Sequence, residues 1–435
     1  MGKFTKDVLI TFISRGLQLI IGLLVSVIIA RTLGPERNGI YSLAILLPAL
    51  LVNLMSFGLN SALVFNIGQK KYSTKEILGA NIIYSALISI FAITIGLIFI
   101  PFFSDALFPG IAKEYLFLVL SLIPLIAFFS IIENILLGLQ KIKKYNFIEL
   151  IRTFTFLFFI IILLLWFHFG IKAAIFAEAL SFFVGCVVLF LYVKGEIGDP
   201  LFLVDKNLFK DTLSYGHKVY LGNIATFLHS KIVVWMINVF LNPLAVGFYS
   251  VAAILSDKIQ FISQSAGTVL FPKVSSETEK IKVKEFTPLV CRNILFITLL
   301  IVLILFLFSR WIIVLFYSKR YLESILPFQI LLIGTIARSG YIVITYDLAG
   351  RGKPMVNTYV AIGALVSNVL LNIILIPKFG IIGAAWSVVI SYVIAFLLEL
   401  FMYSRISGNK IKDMLFLKKL DFQFYKDFNL LEKLK

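Results

Sequence analysis

Between Arg292 and Arg310 the chain runs for seventeen residues without a charge, through an almost unbroken series of Phe, Ile, Leu and Val. A helix of about 20 apolar residues crosses the hydrocarbon core of a bilayer, and runs of this kind recur along the whole sequence. Cutting at charged and Gly/Pro clusters divides the chain into twelve expected spans: 8–30, 40–68, 77–103, 114–139, 147–169, 171–193, 213–241, 245–271, 286–308, 325–350, 355–376 and 381–405. Very tight turns are expected at Gly170 and Pro377. With 60% hydrophobic and 14% charged residues, against roughly half and a quarter in soluble domains, no water-soluble globule could hide this surface. A soluble enzyme, a disordered chain and a fibrous repeat are excluded. The expected class is an all-α polytopic membrane protein.

The formal net charge of +17 would point to nucleic acid in a soluble chain. In a membrane protein, Lys and Arg instead collect in cytoplasmic loops, so no nucleic-acid partner is expected. Placing the N-terminus inside puts 25 cationic residues in cytoplasmic segments and 8 on the opposite side. Both termini are therefore expected in the cytoplasm. Met1 to Asp7 leads into a first span broken by Arg15 and Gln18 with no small-residue cleavage site, which reads as an uncleaved span and not a signal peptide. Cys186 and Cys291 sit in apolar stretches, with no disulfide framework or metal-ligand spacing.

The chain also repeats itself. Leu33, Pro35, Gly39, Tyr41, Ser42 and Ala44 match Leu241, Pro243, Gly247, Tyr249, Ser250 and Ala252, all at an offset of 208. Phe169-Gly-Ile echoes Phe379-Gly-Ile at an offset of 210. Duplication of a six-span unit keeps both halves in the same orientation, as parallel repeats about an axis along the membrane normal. The expected organisation is an N-lobe over 1–195, a cytoplasmic linker over 196–212, a C-lobe over 213–405 and a basic tail over 406–435. Two such lobes meet at a central cleft that rocking exposes to each side in turn.

Polar stripes mark helix faces turned away from lipid. Span 1 carries Thr11, Arg15, Gln18, Gly22 and Ser26 on one face, and span 2 carries Ser42, Asn53, Ser56 and Asn60. The repeated positions supply Asn223, Thr226 and Ser230, then Ser250, Asp257 and Gln264. Gln18, Asn53, Asn60, Asn223 and Gln264 are the expected cleft lining; the plainer reading makes them helix-packing residues. Seven cations fall inside spans. Arg152 has Glu149 or Glu133 within reach, Lys258 adjoins Asp257, and Arg292 is near enough to a span end to snorkel. Arg15, Lys231 and Arg338 have no obvious neighbour in sequence, and Lys218 either snorkels or faces the cleft. A cation facing lipid at mid-depth costs about 3 kcal/mol or more, so these four are the candidates for binding an anion. Asp257 and Glu178 are the candidate ion-coupling carboxylates, while His217 and His229 read as packed, neutral histidines. No catalytic constellation, metal motif or cofactor motif emerges, and the longest outside connection, about 309–324, is short. The chain is not expected to be an enzyme.

Leu33-Gly-Pro-Glu-Arg-Asn-Gly-Ile-Tyr-Ser-Leu, Gln140-Lys-Ile-Lys-Lys-Tyr-Asn, Ala245-Val-Gly-Phe-Tyr-Ser and Ile376-Pro-Lys-Phe-Gly-Ile-Ile-Gly-Ala-Ala-Trp resemble the bacterial Wzx-type polysaccharide flippases of the multidrug/oligosaccharidyl-lipid/polysaccharide exporter superfamily. The resemblance implies two six-helix lobes around a cationic cavity, in the bacterial inner membrane. It further implies a substrate, undecaprenyl-pyrophosphate-linked oligosaccharide of the O-antigen or capsular kind, moved to the periplasmic leaflet by an ion gradient or the membrane potential. Membrane lipids and the polysaccharide polymerase machinery are the partners it implies. Where many relatives carry an Asp on span 7, this chain reads His229-Ser-Lys231. The rival within the superfamily is a multidrug cation antiporter, which wants buried carboxylates unpaired with Lys or Arg.

Overall fold

The structure, a computed structural model, describes residues 3–202, 205–276, 280–418 and 421. Among them there are helices and turns and no strand. The first half comprises α1 (Lys3–Met55), α2 (Leu59–Gln69), α3 (Thr74–Leu107), α4 (Lys113–Leu120), α5 (Leu122–Gly138), α6 (Ile142–Ile160), which continues as a π-helical turn to Trp166, and α7 (Ile171–Ile197). The second half comprises α8 (Lys206–Phe240), α9 (Pro243–Asp257), α10 (Gln260–Ser276), α11 (Lys280–Leu307), α12 (Ser309–Tyr317), α13 (Ile325–Gly350), α14 (Pro354–Ser407) and the short α15 (Ile411–Leu415). Nine helices among the described residues are long and apolar enough to cross a membrane, and α9 with α10, bent by 41°, forms a tenth.

Two of these helices are far longer than a bilayer. The 54 residues of α14 would extend about 80 Å if straight, against a hydrocarbon core of about 30 Å. Backbone geometry resolves this. At Gly380 φ is 58° and ψ −139°, a conformation open essentially to glycine alone, and the chain reverses there: the Asn368 amide donates to Ser391 Oγ at 3.2 Å, twenty-three positions away in the same helix. The tight turn expected over 376–381 is present, and the residue that makes it is Gly380, not Pro377. Proline's fixed φ fits a helix and cannot supply the positive φ. In α1 the interruption is at Gly34, with φ 77° and ψ 172°, followed by Pro35. The expected turn at Gly170 is present, with φ 64°.

Two other expected spans are broken. The segment 40–68 is interrupted at Phe57 and Gly58, both at positive φ. The segment 245–271 breaks after Asp257, where α9 gives way to α10.

The duplicated turns pack against each other. A methyl built on Gly39 would lie 1.8 Å from the Pro243 carbonyl oxygen, and one built on Gly247 would lie 1.8 Å from the Pro35 carbonyl oxygen. Because Gly39 and Pro35 correspond to Gly247 and Pro243 at the offset of 208, the two contacts are one contact seen from each side of a local two-fold axis. Glycine is required in both copies because only a backbone without Cβ lets the strands of chain come this close.

At the opposite, basic end a second seam joins the halves. Gly58 and Gly216 cross with their backbones in contact, Tyr220 Oη donates to Leu54 O at 2.8 Å, and buried Asn66 donates to Thr212 at 2.8 Å. Lys71 and Tyr72 both donate to Asp211, at 2.5 and 2.7 Å. Beside this seam lies a recess of about 370 Å³ lined by Phe65, Lys71, Tyr72 and Asp211.

Candidate functional site

The polar stripe of α1 faces the second half of the chain. Ser26 Oγ lies 2.8 Å from Tyr317 Oη, and a methyl on Gly22 would sit 3.2 Å from Lys258 Nζ. Gln18 and Arg15, one and two turns further along the same face, are half-buried. The stripe therefore lies along the junction between the halves, as a cleft wall must. At its other end Arg31 donates to Phe316 O at 2.7 Å and to Leu315 O, so the end of α12 is tied to α1.

Opposite the stripe is the break between α9 and α10. Interrupted helices within a membrane leave backbone groups free and place side chains in a cavity. Here the two consecutive charges at the break diverge. Asp257 turns to Arg338 of α13, forming an ion pair in which the carboxylate is 56% exposed and the guanidinium 19%, while Lys258 turns towards Gly22. Arg338 therefore has a partner that its own sequence neighbourhood does not show, and Asp257 pairs with it and not with adjacent Lys258. The Arg338 guanidinium also lies 4.9 Å from the ring centre of Tyr392, a cation–π contact.

Behind that pair runs a polar chain through the C-terminal half. The His229 ring packs 4.7 Å from Tyr392, and its Nε2 lies 2.9 Å from Ser391 Oγ. Ser391 gives its hydroxyl proton to Val388 O and accepts from Asn368, so the His229 Nε2 is the donor in their contact. Asn372 donates to Asn368 at 2.8 and 3.0 Å, and its own Oδ1 is buried without a hydrogen-bond partner among the described residues. This chain spans α8 and both arms of α14. The sequence reading concentrated on spans 1, 2, 7 and 8 and missed it, although Asn368 and Asn372, then Ser387 and Ser391, recur at i, i+4 inside apolar runs.

The remaining expected residues fall as follows. Lys231 is exposed on α8, and Glu178 lies within its electrostatic reach across the junction; Tyr41 Oη donates to Glu178 at 2.8 Å. Arg15 is in electrostatic reach of Tyr145, as are Glu133, Glu149 and Arg152. Arg152 pairs with Glu149 at 3.0 Å, as expected. Asn223 donates across the seam to Ser61 at 3.3 Å. Asn53 bonds back to Ala49 O of its own helix, the packing role. Asn60 is half-buried with an unpartnered Oδ1, and Gln264 is exposed on α10. The Lys218 side chain lies outside the described residues. Arg338 thus has Asp257 as its partner, Lys231 has Glu178 in reach, and Arg15 shares the neighbourhood of Tyr145 with Glu133, Glu149 and Arg152. Among the described residues no cluster of His, Cys, Asp and Glu could hold a metal ion.

This combination of bundled helices, a polar junction and an interrupted span defines a helical, multi-span membrane fold. It matches a lipid II flippase, MurJ, in its inward closed conformation, with a TM-score of 0.79 at 19% identity over 93% of this chain and 89% of that one. It also matches an inward-facing MATE family multidrug transporter of the MOP superfamily, with a TM-score of 0.73 at 18% identity over 91% and 95% of the two chains. Residues 4–278 match the family described as polysaccharide biosynthesis protein, and the chain belongs to that family. Among relatives, an uncharacterised membrane protein of Methanocaldococcus jannaschii is 26% identical over 96% of this chain and 86% of its own length. A putative O-antigen transporter of Shigella flexneri is 22% identical over 87% and 92%. A probable low-salt glycan biosynthesis flippase, Agl15, of Haloferax volcanii is 26% identical over 50% and 47%.

Proposed function

We propose that the protein is a flippase that carries an undecaprenyl-pyrophosphate-linked oligosaccharide from the cytoplasmic to the outer leaflet of the bacterial inner membrane. In this reading twelve spans form two parallel lobes, 1–195 and 213–405, joined by the linker 196–212, with both termini cytoplasmic. The cleft between the lobes opens alternately to each side, driven by an ion gradient or the membrane potential. The observation that supports the reading is the α1 stripe: Ser26 and Gly22 meet Tyr317 and Lys258 of the second half, and Gln18 and Arg15 continue the same face, half-buried. Cations there suit a pyrophosphate, which Arg holds through paired donors, and the amides and hydroxyls suit sugars. A polyprenyl tail can stay in lipid at a gap between lobes. The family and the names of the flippase and O-antigen relatives support the same substrate class.

Arg15, Lys218, Lys231 and Arg338 are proposed to contact the pyrophosphate or acidic sugars. Arg338 does so through the open edge of its pair with Asp257. The test is flipping of a fluorescent polyprenyl-pyrophosphate oligosaccharide in proteoliposomes. Losing charge-assisted hydrogen bonds worth about 1.5–3 kcal/mol lowers the rate in Arg15→Ala roughly ten- to hundredfold, with partial recovery in Arg15→Lys. A wild-type rate in Arg15→Ala removes this site. Glu399, buried and without an ion pair among the described residues, favours one alternative, a multidrug cation antiporter; efflux of a lipophilic cationic dye without any flipping activity would establish it.

A further inference from the structure

Glu399 stands apart from every other carboxylate within the spans. Asp257 is held by Arg338, Asp347 by Arg351 and Glu149 by Arg152, Glu178 has Lys231 and Arg152 within electrostatic reach, and Glu133, whose Oε2 is buried without a hydrogen-bond partner among the described residues, has Arg152 in reach. Glu399, on the second arm of α14, is 0% exposed, and among the described residues no Lys or Arg nitrogen forms an ion pair with it. It lies eight residues before the end of α14 at Ser407, about 12 Å along the helix. Among the described residues its only hydrogen-bond partner is the Thr345 hydroxyl of α13, 2.9 Å from Oε1 and 3.0 Å from Oε2.

The proton count at this contact favours one state of the carboxyl. Thr345 Oγ1 is also 3.0 Å from the Tyr341 carbonyl oxygen one turn earlier, the acceptor to which a helical Thr ordinarily donates. An ionised Glu399 would have to share that one hydroxyl proton with the Tyr341 carbonyl. A carboxylic acid closes the account: Glu399 donates to Thr345 Oγ1, and Thr345 donates to Tyr341 O. An ionised Glu399 would be a buried charge with at most one hydroxyl donor, and such a charge costs several kcal/mol.

The surroundings connect this group in two directions. Towards the basic end, Tyr403 lies one turn on along the same arm, with Arg351 5.4 Å from its ring centre and Asp347 bonded to Arg351 and to Thr287. Towards the cleft, Tyr341 is within electrostatic reach of both Glu399 and Arg338. From α11, Cys291 is also in reach of Glu399, and its neighbour Arg292 is committed to Asp421 at 2.5 Å. From the first arm of α14 the facing group is the amide of Asn357, which donates to Thr345 O.

We infer that Glu399 is a proton-binding site of the transport cycle, neutral in the conformation described here and ionised in the alternate one. On release the O–H bond breaks, the proton passes to water at the basic end, and the carboxylate then accepts the Thr345 hydroxyl. The new negative charge, relayed past Tyr341, competes with Asp257 for Arg338 and so links the proton to the cleft. This rests on the flippase reading only for what the proton drives.

The first measurement needs no substrate. Infrared spectra of the full chain in nanodiscs, with and without isotope-labelled glutamate, should show a protonated glutamic-acid carbonyl band at neutral pH. That band should shift with the label, vanish in Glu399→Gln and bleach at alkaline pH. If the substituted protein does not fold, the isotope shift in the wild type still identifies a protonated glutamate, and Thr345→Val should displace the same band. Absence of the band at neutral pH, or a band that never titrates, overturns the proton site and leaves the flippase reading untouched. The second measurement is flipping under an imposed pH gradient. One unit is worth 1.36 kcal/mol, about a tenfold driving ratio, which the wild type should use and Glu399→Gln should not. Equal acceleration in both overturns the coupling role, whereas no flipping by the wild type refutes the function and not the site.

Discussion

The crossing of Gly39 with Pro243, and its mirror of Gly247 with Pro35, makes a quantitative prediction about conformational balance. In Gly39→Ala the new methyl would meet the Pro243 oxygen at 1.8 Å, its carbonyl carbon at 2.8 Å and the Gly247 nitrogen at 2.9 Å. Unstrained contacts of this kind sit near 3.5 Å, so the two turns must part by more than about 1 Å. All three obstructing atoms are backbone, and no rotamer change relieves them. Overpacking of this kind costs about 1–3 kcal/mol. If the turns touch in one conformation and separate in the other, that cost falls on the closed form alone and shifts the equilibrium by roughly 5- to 150-fold.

Spin labels at exposed Arg37 and Leu244, measured by double electron–electron resonance, read this shift as growth of a longer-distance population. Gly247→Ala should match Gly39→Ala, because each substitution opens the same contact. The double variant should shift the balance by less than the sum of the singles, since once the turns have parted the second methyl meets little. Unchanged distances with unchanged thermal stability would refute the steric argument. Loss of thermal stability without a new distance population would make the crossing a fixed structural joint instead of a gate.

Two further outcomes test the site and the basic end. In a double-mutant cycle of Arg338→Gln and Asp257→Asn, thermal unfolding should reveal a coupling of about 0.5–3 kcal/mol. Asp257→Asn alone should be worse than the double variant because it leaves a half-buried guanidinium uncompensated; strict additivity would show that the pair is incidental. At the seam, the hydrogen bond from Lys71, followed by that from Tyr72, holds the Asp211 carboxyl below the usual carboxylate range. The latch is therefore intact above the ordinary Asp value of about 3.9 and is lost as pH falls through the still lower value in the folded protein. A cysteine at exposed Ser214 beside the latch should react with maleimide faster in Asp211→Asn than in the wild type across neutral pH. The two should converge only in acid, and equal rates at neutral pH would show that the latch does not restrain the seam.

How far the chain could be read in advance follows from the range of the forces involved. Spans are set by local hydrophobicity, so the expected divisions fall close to the helices, and the duplicated turns were visible because identical local geometry needs identical residues. The α1 stripe was legible for the same reason: a helical period of 3.6 puts Arg15, Gln18, Gly22 and Ser26 on one face wherever that face points. Partners were not legible. Arg338 and Asp257 are 81 positions apart, and periodicity carries no information on which of several polar faces meet. The same applies to His229 with Ser391, 162 positions apart.

The break after Asp257 shows a case between these limits. No Gly or Pro marks it, so hydropathy draws a single span from 245 to 271. Yet Asp257 and Lys258 are consecutive opposite charges in an apolar segment, and on one continuous helix they would point about 100° apart. A straight span crossing here could turn one of them to the cleft and would leave the other facing packed neighbours or lipid, at about 3 kcal/mol or more. Bending by 41° lets Asp257 reach Arg338 while Lys258 reaches the stripe on α1. The adjacent charge pair was therefore the sequence signal for an interrupted helix, and the interruption is what brings Lys258 to the junction as one of the cations around which the proposed substrate site is built.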